Sequence, residues 1–337
     1  MKEFSETIGE NLYLSLYDTN VLKGLAICLM LIHHLFWIRN GLYDDIQIGN
    51  LFLVNVIGQM AKVCVAIFVF LSGYGLVIQS EKRGSQVSLS SFYIHRFKKL
   101  FLNYWFIWLI FVPISYFCFD MTFYKIYHTN IGWHLFADIL GLHNLIFQGT
   151  YCYNPTWWFY SCIITLYLLY PLMYYMMKRD LLTLLLLTLI LSLLPIPFIE
   201  AIKFYIIAFA LGMCMVNSEI PSPIRRIRWL MVLLMLLYAV GRLFCCYPYL
   251  IDSLLTLFIV RLYKSVNWPK KIISIMAFLG KHSMNIFLFH TFIFYFWFQN
   301  IIYASRNPIF IFFTLLAICI PISIVLEWMK RYTIYKL

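Results

Sequence analysis

Apolar residues in this chain come in long runs, and polar residues gather between the runs. A bilayer-crossing helix needs about 20 mostly apolar residues. Ten runs qualify: roughly 20–38, 52–79, 100–119, 156–177, 181–198, 201–217, 229–246, 249–265, 279–298 and 308–329. The fifth and sixth are parted only by "PIPFIE", and the seventh and eighth only around Tyr247 and Pro248. The pattern predicts an all-α, polytopic membrane protein with about ten transmembrane helices. It forms one integral-membrane domain over residues 1–337, with its core at 20–330.

Charge gives the expected orientation. With both termini cytoplasmic, the inside segments carry Lys82, Arg83, Arg96, Lys98, Lys99, Lys178, Arg179, Arg225, Arg226, Arg228, Lys270, Lys271, Lys330, Arg331 and Lys336. The outside segments carry Arg39, Lys125 and Arg306, with Arg242 near an outer end. Fifteen basic residues against four, alternating loop by loop, is a strong positive-inside bias.

Composition agrees. Hydrophobic residues make up 63% of the 337 and charged residues 12%, with a mean hydropathy of +0.82; soluble domains carry about a quarter charged residues. The net charge of +12 is therefore read as loop asymmetry, and no nucleic-acid partner is expected. The nine cysteines show no CxxC pairs, so neither a metal nor a disulfide framework is expected. The N-terminal "MKEFSETIGENLYLSLYDTN" is too acidic for a signal-peptide leader, so the first run should remain as a helix. No internal repeat is visible.

The polar residues inside the runs carry the chemistry, because an ionisable group in a membrane is a functional candidate by default. Lys23 and His34 are eleven residues apart on the first run. They share one helical stripe within about 20° and stand about 16 Å apart, which puts His34 near mid-membrane. His33 points about 80° away from that stripe. On the ninth run His290 lies about 14 Å beyond Lys281, at a depth similar to His34, and shares a helix face with Ser283. Lys62 can snorkel outward or serve a site. Glu200 and Lys203 are spaced to pair on their own helix, and Arg242 and Asp252 to pair across a tight outer hairpin. The long outer segment 120–155 holds "WHLFADILGLHNLI", an amphipathic pattern suited to the membrane interface. His128, His134 and His143 nearby match no compact metal spacing and are expected at the surface. The aromatic cluster "YCYNPTWWFY" at 151–160 fits either an interface belt or a sugar-stacking platform.

Several stretches together resemble the acyltransferase-3 family of integral membrane acyltransferases. Lys23 with His34 resembles its basic-x10-His motif. "KVCVAIFVFLSGYGL" (62–76) looks like its GVxxFFxLSGY helix, with Ser72 and Gly73 on the SG pair. "FYIHRFKKLFLNYW" (92–105) is similar to RRxxRIxPxYW through Arg96, Lys99, Tyr104 and Trp105. "NPTWWFYSCIITLYLLYPL" resembles WFLxxxxxxYLLYP through Trp158, Phe159, Tyr167 and Pro171. "LGKHSMNIFLFH" (279–290) resembles LGxxSxxIYLxH through Gly280, Ser283 and His290. The match covers about residues 20–330, in the family's order. His95 and Leu102 depart from the usual Arg and Pro. Ile163 and Ile164 replace a glutamate pair found in many members, so no acidic catalyst carries over. The esterase-like domain that some members append is not expected.

The resemblance implies transfer of an acyl group, usually acetyl, from cytoplasmic acyl-CoA to a hydroxyl of an extracytoplasmic polysaccharide or lipid-linked sugar, in a bacterial cytoplasmic membrane. Acetyl-CoA is then a co-substrate, and no metal is needed. Lys23, Arg96, Lys98 and Lys99 would bind its phosphates through charge-assisted hydrogen bonds. His34 would act as base toward the acceptor hydroxyl or carry a transient acetyl group. His290 would orient His34, share the proton or bind the acceptor. Ser72 either lines the cavity or serves close helix packing; Ser283, Trp158 and Tyr167 are further cavity candidates. The rival from another class is a glycan transporter, flippase or polymerase of the cell envelope. It would call for repeat symmetry or intramembrane carboxylates; Glu200 and Asp252 lie only at span ends.

Overall fold

The first helix starts where its capping residues dictate. In this computed structural model, which describes residues 13–83, 88–148, 151–194, 200–217, 233, 238, 241 and 248–333, Ser15 and Asp18 form a capping box. The Asp18 N–H donates to the Ser15 side chain at 3.1 Å, and the Ser15 N–H donates to the Asp18 carboxylate at 2.8 Å. Helix α1 (Leu16–Phe36) follows. A short hairpin, β1 (Gln47–Ile48) and β2 (Leu51–Phe52), leads into α2 (Leu53–Met60). A 3₁₀ turn, Ala61–Val63, then joins α2 to α3 (Cys64–Arg83). Next come α4 (Leu89–Cys118) and three short helices, α5 (Phe123–Tyr127), α6 (Ile131–Ile139) and α7 (His143–Phe147). A 3₁₀ turn at Pro155–Trp157 opens α8 (Trp158–Arg179), followed by α9 (Leu181–Leu193) and α10 (Glu200–Cys214). The chain continues with α11 (Pro248–Ser265) and α12 (Lys270–Thr291), which runs into a π-helical turn at Phe292–Trp297. Helices α13 (Gln299–Ile302) and α14 (Pro308–Thr333) complete it.

The protein is all-α and polytopic. Among the described residues six helical stretches are long and apolar enough to cross a membrane: Leu16–Phe36, Leu53–Lys82, Leu89–Cys118, Pro155–Arg179, Lys270–Trp297 and Pro308–Thr333. The fifth and sixth expected spans appear as the shorter apolar helices Leu181–Leu193 and Ile202–Cys214. The eighth coincides with α11, and the seventh, 229–246, lies outside the described residues except for 233, 238 and 241, as do Arg225, Arg226, Arg228 and Arg242. Lys336 and the Glu200 side chain lie outside them too.

Two boundaries differ from the expectation. Helix α4 begins near residue 89 rather than 100, and α12 near 270 rather than 279. Arg96, Lys98, Lys99, Lys270 and Lys271 end an apolar run, but lysine and arginine are good helix formers. The helices therefore continue past the apolar limit, and Ser88 caps α4 by accepting from the Ser91 N–H at 3.2 Å.

Glycines set the central packing. A Cβ on Gly24 would lie 1.9 Å from the Met276 carbonyl oxygen, and one on Gly280 would lie 1.8 Å from that of Asn20. Backbones of α1 and α12 thus touch at two levels, which only a missing side chain permits. Gly73 meets the Phe209 carbonyl in the same way and draws α10 against α3. At one end of α14 Lys330 is 1% exposed. Its ammonium donates to Asn103 at 2.9 Å, to Asn285, and to Glu327 at 3.4 Å, tying α14 to α4 and α12. Leu109, Phe117, Leu172, Leu182, Phe310 and Val325 point outward, the apolar exterior of a helix bundle in lipid.

Candidate active site

Five helices meet around a cavity of about 380 Å³. Each contributes in register. Helix α1 supplies Asn20 and Lys23; α3 supplies Phe68, Ser72 and Gln79; α4 supplies Arg96, Lys99 and Asn103. Phe159, Tyr160 and Tyr167 come from α8, and Lys281, Ser283 and Phe287 from α12. The charged and amide side chains come from α1, α3, α4 and α12, and the aromatic ones from α3, α8 and α12, where Phe68, Phe159 and Phe287 pack together. Four cations, Lys23, Arg96, Lys99 and Lys281, therefore surround the same mouth while the opposite end is apolar. Such a cavity suits a ligand with a polyanionic head and a thin, less polar arm. Arg96 also donates to Gln79, which aims both into the wall. The Tyr160 hydroxyl is buried with no hydrogen-bond partner among the described residues. A buried polar group left so costs free energy, and a ligand in the cavity would relieve it.

Beyond the apolar end stand the histidines. His290 follows the cavity residue Phe287 by one helical turn. Its ring lies 5.0 Å from that of His34, centroid to centroid. His34 is partly accessible and His290 fully buried. His290 Nδ1 is 3.0 Å from the carbonyls of both Ile286 and Phe287. Carbonyls only accept, so Nδ1 carries the proton and Nε2 offers a lone pair. The Thr291 hydroxyl is 3.5 Å from that Nε2 and 3.2 Å from the Thr156 hydroxyl. His33 faces another way and donates from Nδ1 to the Gly58 carbonyl at 2.8 Å. The 3₁₀ turn at Ala61–Val63 and the π-helical turn at Phe292–Trp297 are irregularities of a kind that often mark functional sites.

Of the residues expected at a site, Lys23, Arg96, Lys99, Ser72, Ser283 and Tyr167 line the one cavity, and His34 with His290 forms a pair beyond it. Ser72 lines the cavity beside the packing glycine, Gly73, so both expected roles are filled by adjacent residues. Two of the expected residues lie off this cavity. Lys98 is exposed and does not line the cavity, because two residues beyond Arg96 turn it about 200° round the helix. Trp158 stacks on Tyr205 with centroids 5.9 Å apart, and Phe159 takes the lining position. Sequence reasoning missed Lys281, Gln79, Asn103 and Tyr160 as wall residues. Gly280, Ser283, Met284 and Phe287 form an i, i+3, i+4, i+7 stripe that marks the α12 wall, with Lys281 at its edge. Nothing in the aromatic cluster singles out Tyr160. Among the described residues no three His, Cys, Asp or Glu side chains gather as a metal site.

The outer segment also departs from expectation. His134 and His143 are buried, not superficial, with His134 Nδ1 3.0 Å from His143 Nε2. One ring nitrogen donates and the other accepts, so the accepting ring is neutral. Burial and the neighbouring His134 push His143 down to about 4. His128 is exposed, as expected. Trp133, Phe136 and Ile146 of α6 and α7 point outward. Asp138 anchors the segment: its carboxylate accepts from the Tyr127 hydroxyl at 2.7 Å and the Tyr153 N–H at 2.9 Å. Its carbonyl accepts from the Tyr104 hydroxyl at 2.5 Å. Burial raises the Asp138 carboxyl to about 7 despite those donors.

A family model described as an acyltransferase domain, that of acyltransferase-3, matches residues 16–328. No curated protein and no solved structure matches.

Proposed function

Because this chain belongs to the acyltransferase-3 family, a family of membrane acyltransferases, we propose that it moves an acyl group, acetyl foremost, from cytoplasmic acyl-CoA to a hydroxyl of an extracytoplasmic polysaccharide or lipid-linked sugar. The membrane would be the bacterial cytoplasmic membrane. The observation that supports this best is the cavity. Its basic mouth suits the phosphates of coenzyme A, and its apolar end leads toward His34 and His290. In this reading Lys23, Arg96, Lys99 and Lys281 bind the phosphates, and the pantetheine arm carries the thioester past Ser72, Tyr167 and Ser283. His34 takes the proton of the acceptor hydroxyl as that oxygen attacks the acyl carbon. His290, with Nδ1–H committed to backbone carbonyls, holds its Nε2 lone pair toward the same space and positions the proton transfer.

The reading is tested by NMR of surface glycans from cells carrying the chain, a His34→Ala version, or no copy. Base-labile O-acyl signals should be present with the first and absent from the other two, with polymer yield and length unchanged. Unchanged acylation with missing or shortened polymer would favour a transporter, flippase or polymerase.

A further inference from the structure

Acyl transfer from a thioester passes through an oxyanion, and its stabilisation is usually the largest single contribution to the rate. Neither histidine supplies a fixed donor for that charge: the His290 Nδ1–H is occupied by the Ile286 and Phe287 carbonyls, and His34 is needed as the base. We propose that Lys62 is the third member of this site, its ammonium receiving the oxyanion; the assignment rests on the acyltransferase reading above.

Backbone packing brings Lys62 to the right level. Helices α1 and α2 run antiparallel, and a Cβ on Gly58 would lie 2.7 Å from the Phe36 carbonyl carbon. The His33 ring donates to the Gly58 carbonyl from the same side. Continuing that register, the 3₁₀ turn Ala61–Val63 stands level with His33 and His34, and it packs against α1. The Lys62 ammonium lies 5.1 Å from the Tyr249 ring centroid, and its charge reaches the His34 ring. Among the described residues it has neither a carboxylate nor a hydrogen-bond acceptor. A ring face holds a cation in place without consuming its N–H donors, so those donors are left for a reacting oxygen. The 3₁₀ turn is what places the lysine here, since it breaks the α-helical rotation between α2 and α3.

The step balances. A His34 ring nitrogen takes the acceptor proton while the hydroxyl oxygen bonds to the acyl carbon. The carbonyl π pair moves onto its oxygen, which accepts a hydrogen bond from the Lys62 ammonium. When that pair returns, the C–S bond breaks, and the departing thiolate takes the proton from the His34 imidazolium. Lys62 keeps its proton throughout.

The test uses the full chain in membrane vesicles from cells that carry it, with acetyl-CoA as probe and release of the CoA thiol as readout. Lys62→Met should lower turnover at saturating acetyl-CoA about 100-fold with KM within about twofold of wild type, and Lys62→Arg should recover most of the loss. If Lys62→Met fails to fold, as judged by thermal unfolding, Lys62→Gln carries the same expectation. Equal losses in the Arg and Met variants, or a raised KM with unchanged turnover, would assign Lys62 to packing or donor binding and overturn the proposal. A wild type that turns over beside an equally active Lys62→Met overturns this proposal alone. A wild type that releases no thiol overturns the acyltransferase reading and the proposal with it.

Discussion

At the scale of residues, the site is built from side chains a membrane helix carries at a cost. His34 and His290 face each other 5.0 Å apart, and the backbone decides which nitrogen of His290 is free. Replacing His290 with alanine should lower acyl transfer at least about 100-fold, the lower range for a lost acid–base group. Binding of acyl-CoA should be retained, because the lysines and Arg96 proposed to bind it are on the far side of Phe287. Turnover and equilibrium binding measured on one preparation check this. His34 was legible in the sequence because an eleven-residue spacing returns to the same stripe. Lys98 and Trp158 stand off the cavity for the same reason: each is a one- or two-residue rotation from a lining position that composition does not reveal.

At the scale of elements, close contact between α1 and α12 aligns Lys23 with Lys281 and His34 with His290. Gly24→Val would force a branched side chain into the Met276 backbone, 1.9 Å from where its Cβ would stand. The variant should yield little folded protein or unfold at a markedly lower temperature, since overpacking costs about 1–3 kcal/mol or more; thermal unfolding in detergent measures it. The outer segment predicts a pH response. Asp138 is raised to about 7 by burial, whereas an unfolded carboxyl titrates near 4. The folded state therefore binds the extra proton across that window, and stability falls as pH rises from about 4 to 7. Asp138→Asn should flatten this part of the profile of unfolding temperature against pH. The sequence marked the amphipathic pattern here but not the burial of His134, His143 and Asp138. Their partners are set by how the segment folds back on itself, as with Tyr153, and by Tyr104 of α4, and periodicity is blind to such contacts.

At the scale of the whole molecule, the apolar runs were legible because lipid requires them, and the family resemblance over about 20–330 is borne out by the family model, which matches residues 16–328. The helix limits were less legible, since α4 and α12 extend beyond the lipid-length run on good helix formers. On α4 that extension places Arg96 and Lys99 on a helical wall of the mouth rather than in a loop. The charge asymmetry predicts that this mouth is cytoplasmic. Membrane-impermeant labelling should reach a single cysteine introduced at Lys82 only from the inside and one at Arg306 only from the outside. The central claim is that acyl-CoA enters by the basic mouth and is discharged at His34. Its most direct test is CoA-thiol release from acetyl-CoA by membrane vesicles containing wild type, His34→Ala, or a variant with Lys23, Arg96 and Lys99 all replaced by glutamine. Three results are predicted: release by wild type, none by His34→Ala although it still binds acetyl-CoA, and release by the glutamine variant only at much higher acetyl-CoA. Wild-type rates from His34→Ala, or unchanged acetyl-CoA affinity in the glutamine variant, would contradict the account.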